Sequence, residues 1–202
     1  MTNLFLKAKH WQIFLLTYGI PLIFQMVFMS IMFSLFDPEK LSIPLVFPYI
    51  FAILFIIIVI SGTITLGWFY SVSVGLQHKI SDNVKMNTGF FKFCLFFPAA
   101  YISIFIFVFM ISFFDAFTNQ VIPDFGIFAL IIPCHFFSMF CILYCLYFTA
   151  KAIKTAEMQR RVRFSDFAGE LFMLWFFFIG VWIIQPRLNK IVNDENDYSL
   201  EY

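Results

Sequence analysis

Residues 160–190 read RRVRFSDFAGELFMLWFFFIGVWIIQPRLNK, and this stretch decides the topology of the chain. Its apolar centre, residues 167–184, is about 27 Å long as a straight helix, which is marginal for a hydrocarbon core of about 30 Å. A full crossing would carry Arg187 and Lys190 to the opposite side of the membrane. A break near Gly180 would instead let the chain dip in and return. The stretch predicts a re-entrant or interfacial helical hairpin, with a short fifth transmembrane helix as the alternative.

The composition is that of a membrane protein. Of the 202 residues, 62% are hydrophobic and 12% are charged, whereas a soluble domain is about 45–50% apolar and about 25% charged. A soluble fold of this size could not cover so much apolar surface, so we expect the lipid bilayer to be its solvent and partner. The formal net charge of +1 gives no sign of the excess positive charge with which proteins bind nucleic acid.

Four longer apolar runs precede the hairpin, and each predicts a transmembrane helix. They lie at residues 11–36, 45–76, 93–114 and 127–149. We therefore predict a single all-α membrane domain over residues 1–202, a polytopic helix bundle of four transmembrane helices. The hairpin or short fifth helix would occupy residues 166–190, and an acidic tail residues 193–202.

Positive charge alternates between the loops of this arrangement. Ten of the 13 Lys and Arg residues lie in the N-terminal segment and in the second and fourth loops, whereas the first and third loops hold only Lys40. By the positive-inside rule, the N terminus and the even-numbered loops are cytoplasmic. We predict a multi-pass protein of the bacterial cytoplasmic (inner) membrane, with the hairpin keeping Arg187 and Lys190 inside as well.

Two parts of the opening stretch follow the pattern S-D-F-x-G-E … I-G-x-W-x-x-Q-P-R-x-N, at residues 165–170 and 179–189. This block resembles one found in small polytopic bacterial membrane proteins of unknown function. Members of that group tend to have proline where this chain has Phe178, and proline would force a break there. Gly180 still permits one. The resemblance implies no activity.

The same stretch holds a candidate polar cluster of Asp166, Glu170, Gln185 and Arg187. One interpretation is structural: Ser165 caps a helix whose first turn carries the acids, opposing the positive end of the helix dipole. The other is functional: Glu170 pairs with Arg187 across the hairpin as an ion site, a proton site or a lipid-headgroup clamp, since ionisable residues at membrane depth are functional candidates.

Small residues recur every four positions in the second apolar run, at Thr63, Gly67, Ser71 and Gly75. Such a stripe lets another helix backbone come close, which replaces the hydrophobic drive that helices lack in lipid. We predict that a helix packs along it.

Gln25 is a candidate intramembrane polar residue that shares a helix face with Thr17 and Pro21. Pro21 removes the backbone bond to the Thr17 carbonyl and should bend the first helix. We interpret this face as turned toward other helices, because an amide facing lipid is costly. A polar substrate path at the bend is the alternative.

His135 is a second candidate intramembrane polar residue, close in sequence to Cys134, Cys141 and Cys145. A soft-metal or haem site needs converging ligands, but these cysteines spread over about 17 Å of one helix. We therefore predict packing and neither a metal nor a cofactor.

No P-loop, zinc-protease, nucleophile-elbow or heptad pattern is present in the sequence. We therefore expect no enzymatic activity and favour an accessory or assembly subunit of a membrane complex, with another membrane protein or a second copy of the chain as partner. A permease-like transport component is the alternative. A lipid-acting enzyme using Asp166, Glu170 and Arg187 is the weaker one.

Overall fold

A computed structural model describes residues 2–35, 43–119, 126 and 128–198, and shows an all-α protein. These residues contain helices and no β-strand. The α-helices they form are α1 (Thr2–Lys7), α2 (His10–Phe14), α3 (Ile20–Leu35), α4 (Ile43–Gly75), α5 (Gly89–Asn119), α6 (Phe128–Met158), α7 (Phe164–Trp175) and α8 (Phe177–Tyr198). The predicted fold class, an all-α polytopic helix bundle, is confirmed.

Four segments of the described chain are long and apolar enough to cross a membrane, and they identify a multi-pass membrane protein. They are His10–Phe33, Ala52–Lys79, Gly89–Ser112 and Ala129–Met158. Each overlaps one of the four predicted apolar runs and extends past it at the Lys-rich or Arg-rich end. At about 1.5 Å per residue, the 33 residues of α4 and the 31 of α6 reach well beyond a hydrocarbon core of about 30 Å.

The first span contains one π-helical turn just before Pro21. Residues Leu15–Gly19 form a π-helical turn, in which the Ile20 N–H donates to the Leu15 carbonyl. Prolines and π-helical turns are both recognised sites of helix bending. The side chain of Thr17 is buried and bonds to a carbonyl of the preceding turn, but Gln25 is exposed. The prediction that this whole face meets other helices is wrong for Gln25, because burial in this span ends before Pro21.

The spans bury one another mainly at one end. Only 11, 11, 17 and 22% of their most apolar windows is buried inside the protein. Most fully buried side chains of the spans lie instead within residues 68–80, 91–95 and 141–156. These segments adjoin the Lys-rich and Arg-rich loops, and α1, α7 and α8 pack among them. The core of the protein is therefore at the end that the charge pattern predicts to be cytoplasmic.

The helical hairpin turns at Phe176, between α7 and α8, where the backbone leaves the helical region (φ −99°, ψ 55°). The predicted break around Ile179 and Gly180 is wrong in position, because both N–H groups bond to the Phe176 carbonyl within the first turn of α8. Gly180 is instead the point of closest approach: a Cβ there would overlap the carbonyl oxygen of Met173. The glycine lets the two arms touch.

The hairpin returns the chain to the side from which it came. The Nε atom of Arg187 lies 2.8 Å from Oε1 of Glu157 in α6. The amide of Asn189 donates to the Ala8 carbonyl, just after α1, at 3.2 Å. The turn at Phe176 excludes one continuous fifth helix over residues 167–184. These contacts place Arg187 at the same end of the protein as the N-terminal helix.

Some predicted segments fall partly outside the described residues. Helix α8 runs to Tyr198, so the start of the predicted acidic tail (193–202) is helical, and residues 199–202 lie outside the described residues. The first loop with Lys40 and most of the third loop also lie outside them.

Candidate functional site

Four charged side chains from three helices meet at the open end of the hairpin, and we call them the charge cluster. Lys154 and Glu157 stand three residues apart on α6, so they share a helix face. Glu170 projects from α7 and Arg187 from α8, at facing positions on the two arms. The turn at Phe176 and the close contact at Gly180 set the register that brings these two together.

The distances in the charge cluster are those of a closed network. Arg187 places Nε 2.8 Å from Oε1 and Nη2 2.7 Å from Oε2 of Glu157, a two-bond grip suited to a carboxylate. The same Nη2 atom lies 2.7 Å from Oε1 of Glu170. Lys154 completes the network, with Nζ 3.1 Å from Glu157 and 3.3 Å from Glu170. Two cations and two carboxylates sum to zero charge.

The carboxylate of Glu170 is held ionised. Burial of Glu170, which is 5% exposed, would raise the pKa of its carboxyl, but the hydrogen bond from Arg187 and the charges of Lys154 and Arg187 outweigh that effect. The pKa of Glu170 is therefore held below its usual value of 4.5. Burial would lower the pKa of Arg187, but the two glutamates raise it above its usual value. The ion pairs join α6, α7 and α8, and the lowered pKa of Glu170 makes its carboxyl group a poor proton donor near neutral pH.

Gln185 forms the second polar feature, which we call the amide clamp. Its side chain is fully buried and accepts a 2.8 Å hydrogen bond from Nε1 of Trp68 in α4. Its Nε2 group lies 2.9 Å from the carbonyl oxygens of both Phe5 and Ala8, and Asn189 donates to the Ala8 carbonyl as well. The last carbonyls of a helix have no partner within it. The amide clamp supplies partners for the end of α1 and joins it to α4 and α8.

Asp166 is in neither feature. Its Oδ2 atom accepts a 2.9 Å bond from the Arg163 N–H at the start of α7, and Arg160 lies 3.4 Å away. The predicted cap, Ser165, is already inside the helix; Arg163 holds the N-cap position. The Ser165 assignment is therefore wrong, because the acid three residues after Arg163 reaches back to the helix start. Of the four predicted residues, the structure brings only Glu170 and Arg187 into contact.

The small-residue stripe of α4 is covered over part of its length. A Cβ at Gly67 would lie 3.0 Å from the Phe5 ring, so α1 fills this part of the stripe. Ser71 and Gly75 are buried, whereas Thr63 is exposed and its hydroxyl donates to a carbonyl of its own helix. The helix that packs against the stripe at Gly67 is therefore the short N-terminal helix α1.

His135 lies away from both features. It is exposed, with its ring 6.3 Å from that of Tyr101. Cys134 is half-buried and Cys141 and Cys145 are buried, all with free thiols. Within the described part of the chain, no three His, Cys, Asp or Glu side chains are grouped so as to hold a metal ion.

Lys154 and Glu157 of the charge cluster, and Trp68 and Asn189 beside Gln185, were not among the predicted site residues. The signal for Glu157 was present, because it is the only acid in an otherwise basic helix end, at helical spacing from Lys154. The partner of Gln185 had no local signal: Trp68 reads as one more aromatic residue at a membrane boundary.

Comparison with protein-family models, with curated proteins and with solved structures finds no match to this chain. The functional proposal therefore depends on the charge cluster, the amide clamp and the surfaces of the spans.

Proposed function

We propose that this protein is a non-enzymatic accessory or assembly subunit of a complex in the bacterial cytoplasmic membrane. The observation that carries the proposal is the distribution of burial: the spans leave most of their apolar windows uncovered by one another. Without a hydrophobic drive in lipid, helices associate through close packing and interhelical hydrogen bonds. An uncovered small-residue site such as Gly62, with no atom near its missing Cβ, provides room for a partner helix.

The charge cluster supports a structural role rather than catalysis. A general acid or base needs a pKa near the working pH and access to the reacting group. Glu170 has neither property, because its pKa is lowered and its carboxylate is buried against Arg187 and Lys154.

The positions of the cations support a cytoplasmic N terminus. The N-terminal helix, the second loop, the basic end of α6 and the open end of the hairpin are joined by direct hydrogen bonds. All Lys and Arg residues except Lys40 belong to these segments or to the helix ends beside them. The positive-inside rule then favours this end as cytoplasmic.

Site-specific photo-crosslinking in native membranes tests the subunit role. A photoreactive residue at Ile56, Phe107 or Leu130, each more than half exposed, should give a discrete adduct with one other protein or with a second copy of the chain. The same residue at Phe91, which is fully buried in α5, serves as the control and should give no such adduct. Adducts with lipid alone at all three exposed positions would contradict the proposal, and an adduct with the membrane subunit of an ATP-driven exporter would favour the permease-like alternative.

Cysteine labelling tests the orientation. In a variant lacking the four native cysteines, Lys7→Cys and Lys190→Cys should react with a membrane-impermeant maleimide only after the membrane is opened. Labelling of Lys190→Cys in intact cells would place the end of the hairpin outside and contradict the proposed orientation.

A further inference from the structure

A cleft of about 540 Å³ opens at the basic end of the bundle, between the second loop and α6. Residues 83–87 form one wall, and α6 together with residues 161 and 162 forms the other. The lining contains three cations and three aromatic side chains. They are Lys85, Lys151 and Arg161, and Tyr144, Tyr147 and Phe148.

Hydrogen bonds beside the cleft hold the second loop in position. Gln159 follows the last residue of α6 with a positive φ of 49°, and its amide donates to the Lys79 carbonyl at 2.7 Å. Its oxygen accepts from the Ser81 N–H at 3.0 Å. On the loop side, Gln77 accepts from the Met86 N–H at 2.9 Å. The two bonds of Gln159 fix the loop relative to the end of α6. None of the three bonds uses the side chain of a cation that lines the cleft.

Two of the three cations are not neutralised. In the residues that the structure describes, neither Lys151 nor Arg161 has a carboxylate within ion-pair distance, and no acid lines the cleft. Lys151 lies 5.9 Å from the centre of the Tyr147 ring. Lys85 pairs with Asp82, which is on the exposed side of the loop. The cleft thus presents an excess of positive charge, in contrast to the neutral charge cluster.

The depth of the cleft matches the surface of the bilayer. Helix α6 starts at Phe128, and about 20 residues cross a core of about 30 Å, so the hydrocarbon ends near Phe148. Tyr144 and Tyr147 then lie at the interface, where tyrosine is enriched. Lys151 is one turn further out. Along α6, the cleft is therefore aromatic at the edge of the hydrocarbon and cationic one turn further out.

We infer that this cleft binds the phosphate of an anionic phospholipid of the cytoplasmic leaflet. Arg161 offers a planar fork of donors that suits phosphate, and Lys151 and Lys85 offer point charges. Polybasic surface near a membrane attracts anionic lipid in proportion to its cations. The aromatic side chains would contact the glycerol and upper acyl region. This inference does not depend on the proposed subunit role, so an experiment can contradict one proposal without contradicting the other.

Lipid binding by the full chain tests the inference. The protein in detergent micelles is titrated with phosphatidylglycerol or with phosphatidylcholine, and bound lipid is counted by native mass spectrometry. The cleft variant carries Lys85→Gln, Lys151→Gln and Arg161→Gln. The control variant carries Lys7→Gln, Lys9→Gln and Arg163→Gln, which remove the same charge from exposed positions at the same end of the protein but outside the cleft. Thermal unfolding verifies that both variants fold.

We expect the unmodified protein to prefer phosphatidylglycerol and the cleft variant to lose that preference by about tenfold or more, since three near-surface cations are removed. The control variant should keep it. Equal loss in both variants would mean general surface charge, and no loss in the cleft variant would mean binding elsewhere; either result overturns the inference. A further arm adds inorganic phosphate or glycerol phosphate as competitor. Displacement of the lipid at equal concentration would show a site for soluble phosphate and would overturn the lipid assignment.

Discussion

The indole nitrogen of Trp68 donates a 2.8 Å hydrogen bond to the side-chain oxygen of Gln185, joining residues 117 positions apart. Both side chains are fully buried. Because the nitrogen of the same amide bonds to the carbonyl oxygens of Phe5 and Ala8, Gln185 connects three helices that are distant in sequence.

Replacing this amide should destabilise the protein. In Gln185→Leu, the Trp68 N–H and the carbonyls at the end of α1 lose their partner inside the core, and we expect a loss of about 3 kcal/mol in the free energy of unfolding. Unfolding in mixed micelles, followed by tryptophan fluorescence, measures it. Gln25→Leu makes the same change at an exposed site and should cost less than about 0.5 kcal/mol. Equal effects of the two substitutions would show that the amide clamp has no special role.

The charge cluster should behave as one unit. Glu170→Gln leaves Lys154 and Arg187 sharing one carboxylate, which we expect to cost about 3 kcal/mol of unfolding free energy because a partly buried cation loses its partner. Adding Lys154→Gln restores neutrality and should recover part of that loss. A double-mutant cycle in micelles measures the coupling. Strictly additive effects would contradict a network and leave only independent pairs.

The stability of the charge cluster should depend on pH in one direction. The pKa of Glu170 in the folded protein is below 4.5, so its ionised form stabilises the fold at pH values above about 4.5. This contribution is lost as the pH falls through the lowered pKa, because protonation removes the bond from Arg187. The difference in melting temperature between the unmodified protein and Glu170→Gln should therefore be constant near neutral pH and shrink below about pH 4.5. A difference that grows on acidification would have the wrong sign.

The hairpin should be intolerant of a methyl group at its contact point. In Gly180→Ala, the new Cβ would overlap the Met173 carbonyl, so the arms must separate. We expect a loss of about 3 kcal/mol in unfolding free energy. Gly169→Ala on α7 is the matched control, since no atom lies within 4 Å of its Cβ position, and helix propensity should make it neutral or slightly stabilising. Full stability of Gly180→Ala would contradict the close approach.

The general architecture could be predicted from hydropathy and charge because both are local in sequence. Apolar length indicated the four spans, and the positions of Arg187 and Lys190 favoured a returning segment, which the turn at Phe176 provides. The exact turn could not be predicted, since Gly180 signals both a break and a close contact. Only three-dimensional packing separates these two meanings.

The partners of polar side chains were harder to predict. Glu170 and Arg187 could be paired because they flank one short segment. Gln185 pairs instead with groups from the N-terminal segment and the second span, which no local pattern connects. Gln25 shows the opposite error. Exposing a polar side chain to lipid costs free energy, but that cost does not tell whether another helix of this chain packs over the residue.

The amide clamp also joins segments that are synthesised at different times. Helix α1 is synthesised before the four spans, yet the side chain that satisfies its final carbonyls is synthesised only after them. Until Gln185 is made, α1 can pack against α4 but lacks the hydrogen bonds of the amide clamp. A chain whose synthesis stops before Gln185 would therefore lack the side chain that bonds to these carbonyls in the finished fold.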